Sequence, residues 1–261
     1  MKMKRIIVLI VGVTVLAFGL TAYAGISSTM HNLLSSSTFS THTTAAVFTS
    51  ATNVTDQITI DLCTFCHIPH GGTNALTGAP LWSRMTPNTA TYSVYGSGSA
   101  GGTTGSTLSQ TLVGVPGAMS LTCLSCHDGT ISIGTISKNG ITMTAAMTGN
   151  VTATGTITRP SATISYNPDL TQDLRKDHPV GLTYQPTSPT SVAGLQSSIS
   201  ASGPPYYIKV GANNTFPIFG GSGLNTSTFE CASCHDPHTV AQSFFLRDSP
   251  TTICVDCHVN K

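Results

Sequence analysis

The stretches Cys231-Ala232-Ser233-Cys234-His235-Asp236-Pro237-His238 and Cys254-Val255-Asp256-Cys257-His258 share one pattern: two cysteines three positions apart, with a histidine directly after. The pattern recurs at Cys63-Thr64-Phe65-Cys66-His67 and at Cys123-Leu124-Ser125-Cys126-His127, so four copies use all eight cysteines of the chain. Successive copies are separated by 56, 104 and 19 positions, counted from motif histidine to next motif cysteine. Such uneven gaps do not suit a solenoid. Spacers this long are uncommon in an ordinary globular domain. They are expected where the loops wrap a core that is not protein.

The chemistry of the pattern is specific. A two-residue gap lets both thiols reach the two vinyl groups of one haem, and the adjacent histidine then falls beneath the iron. A lone Cys-x-x-Cys could be half a zinc site or a redox dithiol. Histidine is 9 of 261 residues, so four following histidines have chance odds on the order of one in a million. The reading is four covalently bound haem c groups, attached by Cys63, Cys66, Cys123, Cys126, Cys231, Cys234, Cys254 and Cys257. His67, His127, His235 and His258 are the proximal iron ligands.

The sixth iron ligand decides between electron transfer and catalysis. Five histidines remain: His31, His42, His70, His178 and His238. His70 follows His67 by three residues, as His238 follows His235. The peptide carrying a proximal histidine covers one face of its own haem, so a histidine three residues on reaches a neighbouring haem more easily than the far side of its own. His178 precedes Pro179, which fixes the backbone beside it. His31 lies seven residues beyond the predicted processing site, where it can serve its own subunit or the next. His42, in a Ser/Thr run, is the spare. Met85, Met119, Met143 and Met147 are competing ligands but are better read as packing residues, as are Phe65, Trp82, Tyr92 and Tyr95.

Lys2, Lys4 and Arg5, the apolar run Ile6 to Leu20 and Ala22-Tyr23-Ala24 predict a signal peptide over residues 1–24. Residues 25–261 form one tetrahaem domain, with no transmembrane segment expected in the mature chain. Only 8% of the chain is charged and the formal net charge is +1, against about a quarter charged in a typical domain. No basic patch or motif points to nucleic acid. No triad, phosphate loop or carboxylate pair points to an enzyme. The fold expected is mostly coil with short α-helices around the motifs and a few short β-strands, wrapped around a haem stack. Strands are expected between Ile131 and Tyr166. Asn167 to Gly223 reads as loops, with a short helix near Asp169 to Lys176.

Several further segments resemble those of multihaem c-type cytochromes of metal-reducing bacteria. They are His31-Asn32-Leu33, Cys63 to Gly71, Pro80-Leu81-Trp82, Cys123 to Thr130, Asp177 to Gly181, Cys231 to His238, Phe245-Leu246-Arg247 and Cys254 to His258. Within that group the chain is most similar to the OmcE-like tetrahaem cytochromes that form extracellular filaments. The resemblance implies bis-histidine haems in a continuous row and a homopolymer in which the adjacent subunit donates one distal histidine, with His31 in the natural position. It also implies redox partner proteins or extracellular acceptors and an extracellular or cell-surface location. A soluble periplasmic electron shuttle is the alternative. A multihaem reductase with one open haem is a further one, which the supply of histidines disfavours.

Overall fold

The computed structural model describes residues 25–27, 29, 31–33, 47–48, 52–53, 58–59, 62–68, 81–94, 115–133, 135–138, 141–144, 147–148, 156–157, 168–186, 194–200, 204–211, 213–223 and 225–259. The signal-peptide segment, His42, His70 and Tyr95 lie outside them.

Among the described residues, short strands pair only in twos. β1 (Val47–Phe48) pairs with β6 (Met147–Thr148), β2 (Thr52–Asn53) with β3 (Ile58–Thr59), and β4 (Thr135–Lys138) with β5 (Ile141–Thr144). β7 (Leu182–Thr183) pairs with β10 (Thr228–Phe229), and β8 (Tyr206–Val210) with β9 (Asn213–Ile218); all five pairs are antiparallel. Three helices are each built on a cysteine motif: α1 (Ala118–His127), α2 (Cys231–Cys234) and α3 (Ile253–Cys257). The first motif forms a turn instead: Cys63 O accepts from both Cys66 N (3.1 Å) and His67 N (2.8 Å).

The expected strands between Ile131 and Tyr166 are β4, β5 and β6. Two expectations are corrected. The longest hairpin, β8–β9, lies in the segment read as loops. It tolerates Pro217 because a two-stranded ribbon has free edges, and it absorbs an irregular residue through a register shift at Ile208/Lys209. Near Asp169 to Lys176 there is only a 3₁₀ turn, Leu174–Lys176, capped by the Asp173 side chain.

Two apolar clusters carry the motifs. Ile208, Phe216, Ile218, Tyr184 and Phe229 form one, closed by the motif residue Cys257. Tyr92, Val94 and Leu174 form the other around Leu121 and Leu124 of α1. The first holds the fourth motif and the second holds the second motif. Full burial of a large aliphatic or aromatic side chain contributes about 1.5–3 kcal/mol, so the second and fourth motifs are each anchored by a small core.

Candidate metal centres

The second motif is the most regular. α1 follows its N-cap Gly117 and ends at His127, whose Nδ1 donates to Pro168 O at 2.7 Å. A carbonyl only accepts, so Nδ1 carries the proton and Nε2 is left free for a metal. Asp128, buried, accepts from Tyr92 Oη at 2.8 Å and from Thr130 N at 2.9 Å, which closes the turn after the helix. Gly129 in that turn has φ +73°, and a Cβ there would press on the Asp169 carboxylate.

The third motif is held the same way. His235 Nδ1 donates to Phe244 O at 2.7 Å. The segment behind it folds back: Arg247 N donates to Cys234 O (2.9 Å) and Arg247 Nε to Ala232 O (3.0 Å). Phe244 and Phe245 adopt φ +56° and +60° to make this reversal. Side chains of this size rarely occupy the left-handed region, at a cost of about 1–3 kcal/mol each. Asp236 receives Arg247 Nη1 at 3.1 Å and faces His238 Nδ1 at 3.3 Å. These contacts, with the His238 imidazole first, hold its carboxyl down at about 2.

The first motif is woven to the second. Ile68 N donates to Leu81 O (2.8 Å), Ser83 N to Cys66 O (3.0 Å) and Ser83 Oγ to Phe65 O (2.7 Å). From the same segment Trp82 Nε1 donates to Ser125 Oγ in α1 at 3.1 Å.

Three motif histidines then face histidines from other segments of the chain. His67 and His238 have ring centroids 6.1 Å apart and planes 17° apart. His127 and His31 stand at 6.1 Å and 61°, and His258 and His178 at 6.2 Å and 59°. Two metal–imidazole bonds of about 2.0 Å, plus roughly 1.1 Å from each nitrogen to its ring centroid, separate trans imidazoles by about 6.2 Å. Three pairs therefore have the spacing that one shared iron requires. His238 stands opposite His67, a histidine of another motif, and not opposite its neighbour His235. His31 is presented by two interlocked turns in which Asn32 Nδ2 donates to Ser27 O (2.8 Å), and its ring stacks on Phe245 at 4.4 Å and 5°. The surrounding protein lowers the His31 imidazole to about 3, so it stays neutral as a ligand must. His178 sits on Phe229 at 5.3 Å, in a segment fixed by Gly181, whose N donates to Phe229 O at 2.7 Å. Six of the seven described histidines are paired; the opposite number of His235 is not among the described residues.

Three of the thiols are unlike those of a redox dithiol. All eight are unbridged. Burial pushes the Cys66 and Cys257 thiols up to about 12 and Cys234 to about 11, whereas a redox Cys-x-x-Cys lowers one of its thiols. Cys231 is the exception, lowered by the hydrogen bond it shares with Cys123. Among the described residues, no three His, Cys, Asp or Glu side chains gather as a metal cage. Cys123 and Cys231 share a hydrogen bond, and Cys66 with Cys126 and Cys234 with Cys254 lie within electrostatic reach of one another.

Residues 225–261 match the family described as the doubled CXXCH motif. That is a multihaem c-type cytochrome signature. The motif indicates covalently bound haem c and, with it, electron transfer. The match covers the third and fourth motifs with His238. A search of curated proteins finds no match. No described helix is long and apolar enough to cross a membrane.

The sequence reading missed the residues behind the ligands. Asp236, Phe245 and Arg247 sit inside stretches that carried the family resemblance, which was their signal. Arg84 and Glu230 stood in no motif.

Proposed function

We propose that the chain is a tetrahaem electron-transfer protein in which every iron is closed by two histidines. The observation that carries this is the triple recurrence of facing imidazoles at 6.1–6.2 Å. Bound haem supplies one-electron iron chemistry. The residues orient the ligands, exclude competing ligands and keep the attachment points in a row. His70 closes the set at His235. It follows its motif by the same three residues as His238, and His238 faces the first motif, so reciprocity assigns His70 to the third. The row runs in motif order in this reading, which the electrostatic coupling of thiols in successive motifs supports. A coil-rich chain wrapped around that row needs no substrate pocket, and the protein is not an enzyme.

Its partners in this reading are redox proteins or extracellular acceptors, reached after export of residues 25–261. The resemblance to filament-forming cytochromes supports a homopolymer. Its natural form is an exchange of the arm around His31, so that one subunit's His31 faces His127 of the next copy and the pair is preserved. The periplasmic shuttle is the same chemistry without the exchange.

The test is spectroscopic. Pyridine haemochrome analysis should return four haems per chain, and the reduced protein should not bind carbon monoxide. Carbon monoxide binding to a wild-type haem would reveal an open iron and overturn the fully closed set. Electron microscopy of the native protein distinguishes filament from monomer.

A further inference from the structure

We infer that Glu230 is a positioning residue that sets the second and third haems against one another, because its one side chain caps the helix of the second motif while its backbone caps that of the third. The inference rests on the haem reading above.

A helix leaves its first backbone N–H groups without partners of its own. α1 and α2 supply such partners to each other. Gly117 is the N-cap of α1 and Glu230 the N-cap of α2. Glu230 Oε2 accepts from Gly117 N at 3.0 Å and from the hydroxyl of Ser120 in the first turn of α1. In return, Ser120 Oγ accepts at 3.0 Å from the backbone N of Cys231, the first residue of α2. This is a capping exchange between residues 110–113 positions apart in sequence. Two further bonds fix Glu230 itself. Its Oε1 accepts from Thr228 Oγ1 of β10 at 2.7 Å, and its N donates to Ser233 Oγ of α2 at 3.0 Å. Glu230, Ser120 and Ser233 are all buried, so water does not stand in for any of these bonds. An ionised carboxylate only accepts, which suits a side chain that gathers donors from α1 and β10 at once.

The same joint carries attachment atoms. Cys123 lies three residues after Ser120, on the same face of α1, and Cys231 directly follows Glu230. Their thiols share a hydrogen bond. One thiol of the second motif and one of the third therefore stand side by side, each beside a residue of the capping exchange. A protein sets electron transfer between cofactors by fixing where they sit, and at this step the fixing falls to Glu230 and Ser120.

The test is circular dichroism in the Soret band of the holoprotein, at equal haem content, together with the iron positions from electron microscopy or crystallography. Neighbouring haems couple their Soret transitions and give a couplet whose size depends on their separation and orientation. Glu230→Ala should shrink the couplet and separate the second and third irons, with the first–second and third–fourth separations unchanged. Ser120→Ala removes both halves of the exchange and should do the same, and the double variant should lose little more than either alone. Glu230→Gln is the rescue. Its oxygen still accepts from Gly117 and Ser120, and its amide donates to Thr228 Oγ1, whose own hydrogen turns to Phe219 O at 3.3 Å. Its couplet and iron spacing should match wild type. Unchanged couplet and spacing in Ser120→Ala, failure of Glu230→Gln to match wild type, or equal displacement at all three neighbouring pairs would overturn the positioning role. Absence of haem from the wild type would instead overturn the reading beneath it.

Discussion

Removing His238 should silence one particular magnetic signature and leave others intact. Each axial imidazole donates π density along a direction set by its ring plane and so splits the two iron orbitals that point out of the haem plane. Two such contributions add when the rings are parallel and cancel when they are crossed, and the net splitting scales with the cosine of the interplanar angle. For His67–His238, at 17°, the cosine is about 0.96; for His31–His127 and His178–His258, at 61° and 59°, it is about 0.5. The first site should therefore show roughly twice the rhombic splitting of the second and fourth. In frozen ferric protein this gives one ordinary rhombic low-spin signal from the first site and signals with a larger maximum g value from the other two. In His238→Ala the rhombic intensity should drop by one spin per chain, a high-spin signal should replace it, and the reduced variant should gain one carbon monoxide site. The large-g signals should persist. If the large-g intensity falls while the rhombic signal stays, His238 does not serve His67 and the cross-motif pairing is refuted.

Three further outcomes follow from the packing. Burial raises the Glu230 carboxyl above its ordinary 4.5, so the folded chain binds that proton more tightly than the unfolded chain does. Stability then rises as pH falls from neutral through the folded pKa, and the gain is complete below about 4.5. In Glu230→Gln that dependence disappears, so the Tm of wild type relative to the variant should grow on acidification; a constant or shrinking difference would reject it. Gly117→Ala sets a methyl against Glu230 Oε1 and should destabilise the holoprotein by about 1–3 kcal/mol in thermal unfolding followed by Soret circular dichroism. Phe245→Leu removes the parallel stack on His31 at 4.4 Å and should cost about 0.5–1.5 kcal/mol. It should also shift the second-site large-g signal, which an effect on bulk stability alone would leave in place.

The attachment residues were legible because covalent chemistry leaves a fixed spacing: Cys254 and Cys257 need no tertiary context to be recognised. The three-residue offset of His238 points to a partner outside its own motif, and its ring faces that of His67. Arg84 and Glu230 were not legible. Arg84 meets Ser132 across 48 residues and Glu230 meets Gly117 across 113, and such distant partnerships leave no periodicity to read. The β8–β9 hairpin was hidden by its own composition, because Gly211, Asn213, Asn214 and Pro217 are turn-like residues that only the burial of Ile208, Phe216 and Ile218 reconciles with strands. The 3₁₀ turn at Leu174 shows the converse, where helix-forming residues were too few to nucleate a longer helix.

The pairing of His67 with His238 also has a consequence in time. A chain is made from its N-terminus, so the first attachment site exists 171 positions before the histidine that faces it. In the proposed haem reading, that site would have one ligand and an open side in any chain that lacks this last part. A nascent or truncated protein ending before Asp236 can carry the first two attachment motifs and still lack the closing imidazole at the first of them. If that pairing closes an iron, a product truncated before Asp236 would keep an open side at its first site that the full-length chain closes.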